Sequence, residues 1–123
     1  MIRHALMPKQ NSKPGMAIRY TVIFEPEADQ DIQDQADYIM ETSGLAGTAV
    51  RYVDRIHDFC GKLSAFPHSY KKIDTQYPDL RIAFPTPRDA VVYRVDKTSK
   101  AVYIIGVFNT RQNYVKRIRE RYS

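Results

Sequence analysis

The hydrophobic period of this chain changes near Pro67, and that change constrains the fold more than any other feature. Upstream, Ala28, Ile32, Ala36, Ile39 and Met40 recur at helical spacing. Pro26 suits a first helical position, where its missing N–H costs nothing, and the acids around it complement the helix dipole. Gly44 is the expected stop. A second helix is expected from about Thr48 to Phe66, with Ala49, Val53, Ile56, Cys60 and Leu63 as its buried stripe and Tyr52, Phe59 and Phe66 flanking it. Pro67 ends it. Two helices joined by so few residues should pack as an antiparallel hairpin.

Downstream the pattern is that of strands. Ala90 to Val95 and Ala101 to Phe108 are two apolar runs separated by the turn DKTSK, and a shorter run from Leu80 to Phe84 should pair with the first. Ahead of the helices, IRYTVIF over residues 18 to 24 is β-branched and aromatic and reads as another strand. The expected fold is therefore α+β. An N-terminal strand and an antiparallel two-helix hairpin precede a three-stranded antiparallel sheet, which the helices cover on one face.

A chain of 123 residues supports one modest core, here assigned to residues 16–123 with a basic C-terminal tail. Residues 1–15 are polar, contain Pro8, Pro14 and Gly15, and are expected to be a disordered N-terminal extension, with Met16 as an alternative start. No apolar run approaches the roughly 18 residues that span a bilayer, so no membrane role is expected. The single Cys60 fits a reducing compartment, which points to the cytoplasm.

Charge is segregated. Glu25, Glu27, Asp29, Asp31, Asp34, Asp37 and Glu41 are interrupted by no basic residue, and the acids of the first helix read as a solvated face. From Lys71 onward there are twelve basic residues against five acidic ones. Such a surface attracts nucleic acid or an acidic protein through its field.

Motifs for cofactor or metal chemistry are absent. The five glycines are scattered rather than grouped in a phosphate-binding loop. His57 and Cys60 lie three apart on the second helix without a second ligand pair, and His68 reads as a loop residue. No cofactor and no metal are expected. The arginines carry more information. Alternation puts Ala90, Val92 and Arg94 on one strand face and Val91, Tyr93 and Val95 on the other. If their strands are neighbours, Arg81, Arg94 and Arg111 reach one surface, with Tyr93 or Tyr114 nearby. Guanidinium groups there would hold phosphate or carboxylate by bidentate bonds.

The ordered segments YTVIFEPEADQDI, DIQDQADYIMETSG, AVRYVDRIHDFCGKLSAFPHS, PDLRIAF, VVYRVD and VYIIGVFNTRQNY resemble the RelE/ParE superfamily of type II toxins, in particular its ParE-like, plasmid-stabilisation branch. The resemblance implies a cognate antitoxin protein as partner and one of two targets. ParE-like members block DNA gyrase without a classical active site. RelE-like members cleave mRNA on the ribosome. For a nuclease the candidates are Lys71, Arg81, Arg111 and Tyr114. For partner binding they are Arg81, Tyr93, Arg94, Arg111, Tyr114, Lys116 and Arg117. The last two strands offer no His or Glu as acid or base. Beyond them Tyr114, Ile118 and Tyr122 recur four apart, like a short amphipathic helix. Both features favour the gyrase-directed, non-enzymatic reading over the endoribonuclease. A homologue that only binds its antitoxin is a third possibility.

Overall fold

The computed structural model describes residues 4–6, 19–74 and 77–122. Strand β2 (Thr21–Phe24) alternates, with Val22 and Phe24 fully buried. Helix α1 (Pro26–Ser43) opens on Pro26 with Glu27 and Asp29 in its first turn. It closes at Gly44, whose φ of 68° only glycine adopts without strain and whose N–H donates to the Met40 carbonyl at 2.8 Å. Ala28, Ile32 and Ala36 form its buried stripe, whereas Met40 is exposed.

Helix α2 (Ala46–Lys62) follows after two residues and packs on α1. It begins two residues before the expected start and ends four before Phe66. Pro67 disfavours helical geometry in the residue ahead of it, and the last helical turn tightens so that Leu63 donates to the Cys60 carbonyl at 3.0 Å. Tyr52, Ile56 and Cys60 form the helix's buried line, with Ala49 and Val53 only partly buried, and beyond the early stop Phe66 is left 66% exposed.

The sheet corrects the expected three strands. β3 (Lys72–Asp74), β4 (Tyr77–Thr86), β5 (Asp89–Asp96) and β6 (Ala101–Asn109) form an antiparallel series, but the sheet continues past β6. There β2 pairs parallel to β6, matching Val22 with Val102 and Phe24 with Ile104, and β1 (His4–Leu6) pairs antiparallel to β2. The order is β1-β2-β6-β5-β4-β3, a mixed six-stranded sheet. The parallel pair arises because the whole helix hairpin intervenes between β2 and the rest of the sheet, so no hairpin turn dictates direction. The expected extension over residues 1–15 lies outside the described residues except for 4–6, which form the edge strand β1. Ile18, expected to begin a strand, also lies outside them.

Both sheet faces are buried. On one, Val22, Phe24, Val91, Tyr93, Val102 and Ile104 meet α1 and α2. On the other, Leu80, Ala90, Val92, Ile105 and Phe108 meet Ile118 of α3 (Tyr114–Tyr122). The basic tail is thus a helix with a buried side, joined to β6 through a short turn. Asn113 caps it, its Oδ1 accepting the Lys116 N–H at 3.2 Å.

Candidate functional site

Strand register decides which arginines share a surface. In β4 and β5, Arg81 stands opposite Tyr93, and Leu80 stands opposite Arg94. Neighbouring positions on a strand point to opposite faces, so Arg81 belongs to the helix-covered face and Arg94 to the face covered by α3. Each then acts locally. Arg81 Nη1 donates to the Tyr70 carbonyl at 2.6 Å and lies 3.4 Å from the His68 carbonyl, pinning the loop after α2. Arg94 stacks on the Tyr103 ring, 4.4 Å from its centroid. It borders a cavity of about 320 Å³ with Glu25, Glu27, Ile105, Arg121 and Tyr122.

Tyr93, expected at a partner surface, is wholly buried, and its hydroxyl donates to the Pro67 carbonyl at 2.9 Å. Burial, the largest cause, pushes its phenol up to about 12. His68, near the same loop, is held below the ordinary imidazole range, first by partial burial and then by Arg81, Lys97 and Lys72.

Lys71 lies beside Arg81, because its neighbour Lys72 pairs with Arg81 across β3 and β4. Lys71 is exposed ahead of β3, and its carbonyl accepts the Ile82 N–H at 3.2 Å. Arg111 is exposed in the turn between β6 and α3, where its N–H donates to Asn109 Oδ1 at 2.9 Å. That turn is tied to the one between β4 and β5, because Thr110 donates to the carbonyls of Arg88 and Pro87. Tyr114 is half-buried on the α3 face, edge-on to Phe84 at 6.2 Å. Lys116 and Arg117 are exposed on α3. Arg117 lines a cavity of about 180 Å³ with Asp31, Asp34, Tyr38, Tyr52 and Asn109. Of the four nuclease candidates, Lys71 and Arg81 are thus neighbours, whereas Arg111 and Tyr114 belong to the turn after β6 and the start of α3, and Arg81, Arg94 and Arg111 do not share one surface.

The structure adds a pair that the local spacing did not reveal. Arg121 of α3 holds Asp31 of α1 with two bonds, Nη1 to Oδ2 at 2.9 Å and Nη2 to Oδ1 at 3.1 Å. Asp31 is thus largely buried rather than part of a solvated face. The same two side chains satisfy an irregular stretch of β6. There Val92 pairs with Gly106 and Tyr93 with Ile104, leaving Ile105 as a bulge. Asp31 Oδ2 accepts the Val107 N–H at 3.0 Å, and the Ile105 carbonyl accepts from Arg121 Nη1 at 3.1 Å. Gly106 is the one sequence mark of this arrangement. A Cβ there would lie 2.5 Å from the Phe108 ring and 2.8 Å from Arg121 Nη1. A lone glycine inside a strand run signals a bulge or close approach, although not the identity of the approaching group.

A chain of the RelBE2 toxin–antitoxin complex from Mycobacterium tuberculosis superposes with a TM-score of 0.58 at 22% identity, over 75% of this chain and 99% of that one. At that identity the likeness is one of fold. No curated protein matches the sequence. Residues 22–114 match the family described as the ParE toxin of the type II toxin–antitoxin system parDE, a span running from β2 to the first residue of α3. The chain belongs to the ParE toxin family of type II toxin–antitoxin systems.

Proposed function

We propose that this toxin acts in the cytoplasm by binding DNA gyrase, not by cleaving RNA, and that a cognate antitoxin neutralises it. The observation that carries the choice of target is the dispersal of the groups a nuclease would need. Cleavage at a ribose requires a base for the 2′-hydroxyl, a cation for the developing phosphorane and an acid for the leaving oxygen, all within about 3 Å of the reacting atoms. Here Lys71 adjoins Arg81, but Arg81 is bound to backbone carbonyls on the helix face, Tyr114 packs on Phe84 across the sheet, and Arg111 stands on the turn after β6. A binding toxin needs no such convergence. It needs an exposed surface on a stable scaffold, which Arg111, Lys116 and Arg117 provide around the start of α3.

Purified protein should inhibit DNA supercoiling by gyrase, and induced cells should filament with a DNA-damage response. Cleavage of mRNA within codons on purified ribosomes, with supercoiling unaffected, would replace this reading with the endoribonuclease one. If neither occurs while antitoxin still binds, the chain is a homologue that only binds its antitoxin.

A further inference from the structure

A small pocket at the C-terminal end of α2 has no part in the scheme above. It encloses about 160 Å³ and is lined by Phe59, Lys62, Leu63, Phe66, Ser69 and Tyr70. That volume resembles the ~150 Å³ cavity that admits a benzene ring, so a leucine or aromatic side chain fits. The early end of α2 creates it by placing Phe66 outside the core. Phe66 is 66% exposed and Tyr70 37%, while Phe59 meets the Tyr70 ring at 5.7 Å.

The surroundings of the pocket are basic. Lys62 lies in its wall, and the exposed Lys71 and Lys72 continue the chain directly from Tyr70. Arg81 holds the Tyr70 carbonyl from behind. His68 is lowered first by burial, and the further lowering by Arg81, Lys97 and Lys72 agrees with that positive field.

We propose that this pocket seats an apolar anchor residue of an acidic, amphipathic peptide segment, with Lys62, Lys71 and Lys72 meeting its carboxylates. Aromatic side chains around a pocket ringed by charge are the usual form of an energetic hot spot for a protein partner. A single-stranded nucleic acid would need an open stacking platform. Here Phe59 and Tyr70 are tilted by 53° against each other, and Arg81, the guanidinium beside them, is occupied by backbone carbonyls. The inference extends the antitoxin reading by naming the chemistry of one anchoring contact. Its test uses no toxicity readout, so either can fail without the other.

The probe is a fluorescein-labelled peptide of roughly 16 residues, rich in glutamate with leucines at helical i, i+4 spacing. Its binding to the full chain is followed by fluorescence anisotropy. The acidic peptide should bind, and its affinity should fall as salt rises from about 0.05 to 0.5 M. Phe66→Ala and the double variant Lys71→Glu/Lys72→Glu should each weaken it at least tenfold, with unchanged circular dichroism. Phe84→Ala, beside Tyr114 on the other sheet face, should leave it unchanged. Three results would each overturn the proposal. They are no binding by the acidic peptide, equal binding by a matched lysine-rich peptide, and a short oligothymidylate that binds the same site with greater sensitivity to Phe66→Ala.

Discussion

Asp31 shows how far one side chain can depart from its sequence context. It sits in a run of acids on α1, yet it accepts a strand N–H and a guanidinium fork at once. Arg121, in turn, is held in its charged form by the bond to Asp31, which outweighs its partial burial. Removing Arg121 leaves a largely buried carboxylate with only the Val107 N–H. Arg121→Ala should therefore cost about 2 kcal/mol in chemical denaturation, in the range for lost charged hydrogen bonds. Asp31→Asn should cost less, because the amide oxygen can still accept from Val107. Tyr93 makes a different prediction. Burial pushes its folded phenol up to about 12, above the ordinary tyrosine value of about 10. The folded state therefore holds the phenol proton more tightly, so this contribution is complete below pH 10 and is lost as pH rises towards 12. Tyr93→Phe should lose about 1 kcal/mol at pH 8 through the missing bond to Pro67. It should also lose less stability than the parent between pH 10 and 12, as read by urea melts across that window.

At the level of elements, α3 is the part whose role changes most once it is folded. Its nine residues carry four basic groups, and as a sequence they read as a short amphipathic helix on a basic tail. Folded, Ile118 is 3% exposed and packs with Leu80, Ala90, Val92, Ile105 and Phe108. Truncation after Asn113 would uncover that apolar face and remove the Arg121 partner of Asp31. The truncated chain should melt several degrees lower, with new binding of a hydrophobic dye. If it keeps its melting temperature, the contribution assigned to α3 packing is wrong. The truncation therefore cannot separate target binding from stability. Point changes on the exposed side of α3, such as Lys116→Ala, are the cleaner probe.

Across the whole molecule, charge is uneven but not cleanly divided. Asp37 and Glu41 are exposed on α1 and Asp34 shares a cavity with Arg117, while Arg88, Arg111 and Lys116 surround the interlocked turns at one end of the sheet. A target held by that end should bind less tightly as salt rises, since exposed charges are screened beyond about 8 to 10 Å at physiological ionic strength. Arg111→Ala should keep the melting temperature within a degree or so, surface changes usually costing within about 0.5 kcal/mol. It should also weaken growth inhibition in cells lacking antitoxin. Undiminished toxicity of a folded Arg111→Ala variant would leave Arg111 as solvated charge.

Local chemistry alone determined the kinds and sequence of the main elements. Helical spacing before Pro67, alternation after Ala90, and the stop at Gly44 each depend on residues a few positions apart, which is the range that backbone geometry and side-chain period encode. The α+β class and the meander of β4, β5 and β6 were legible for that reason. What pairs with what across the chain was not. The parallel seat of β2 against β6 and the bond between Asp31 and Arg121 join residues about 80 to 90 positions apart, and α3 closes the second sheet face by reaching back as far as Leu80. For the candidate site, alternation correctly put Tyr93 and Arg94 on opposite faces, but it could not assign Arg81 to one of them. That assignment is set by the register between β4 and β5, where one residue of slip exchanges the faces. Register follows from the packing of both sheet faces at once, so only the tertiary structure could decide that Arg81 and Arg94 are back to back.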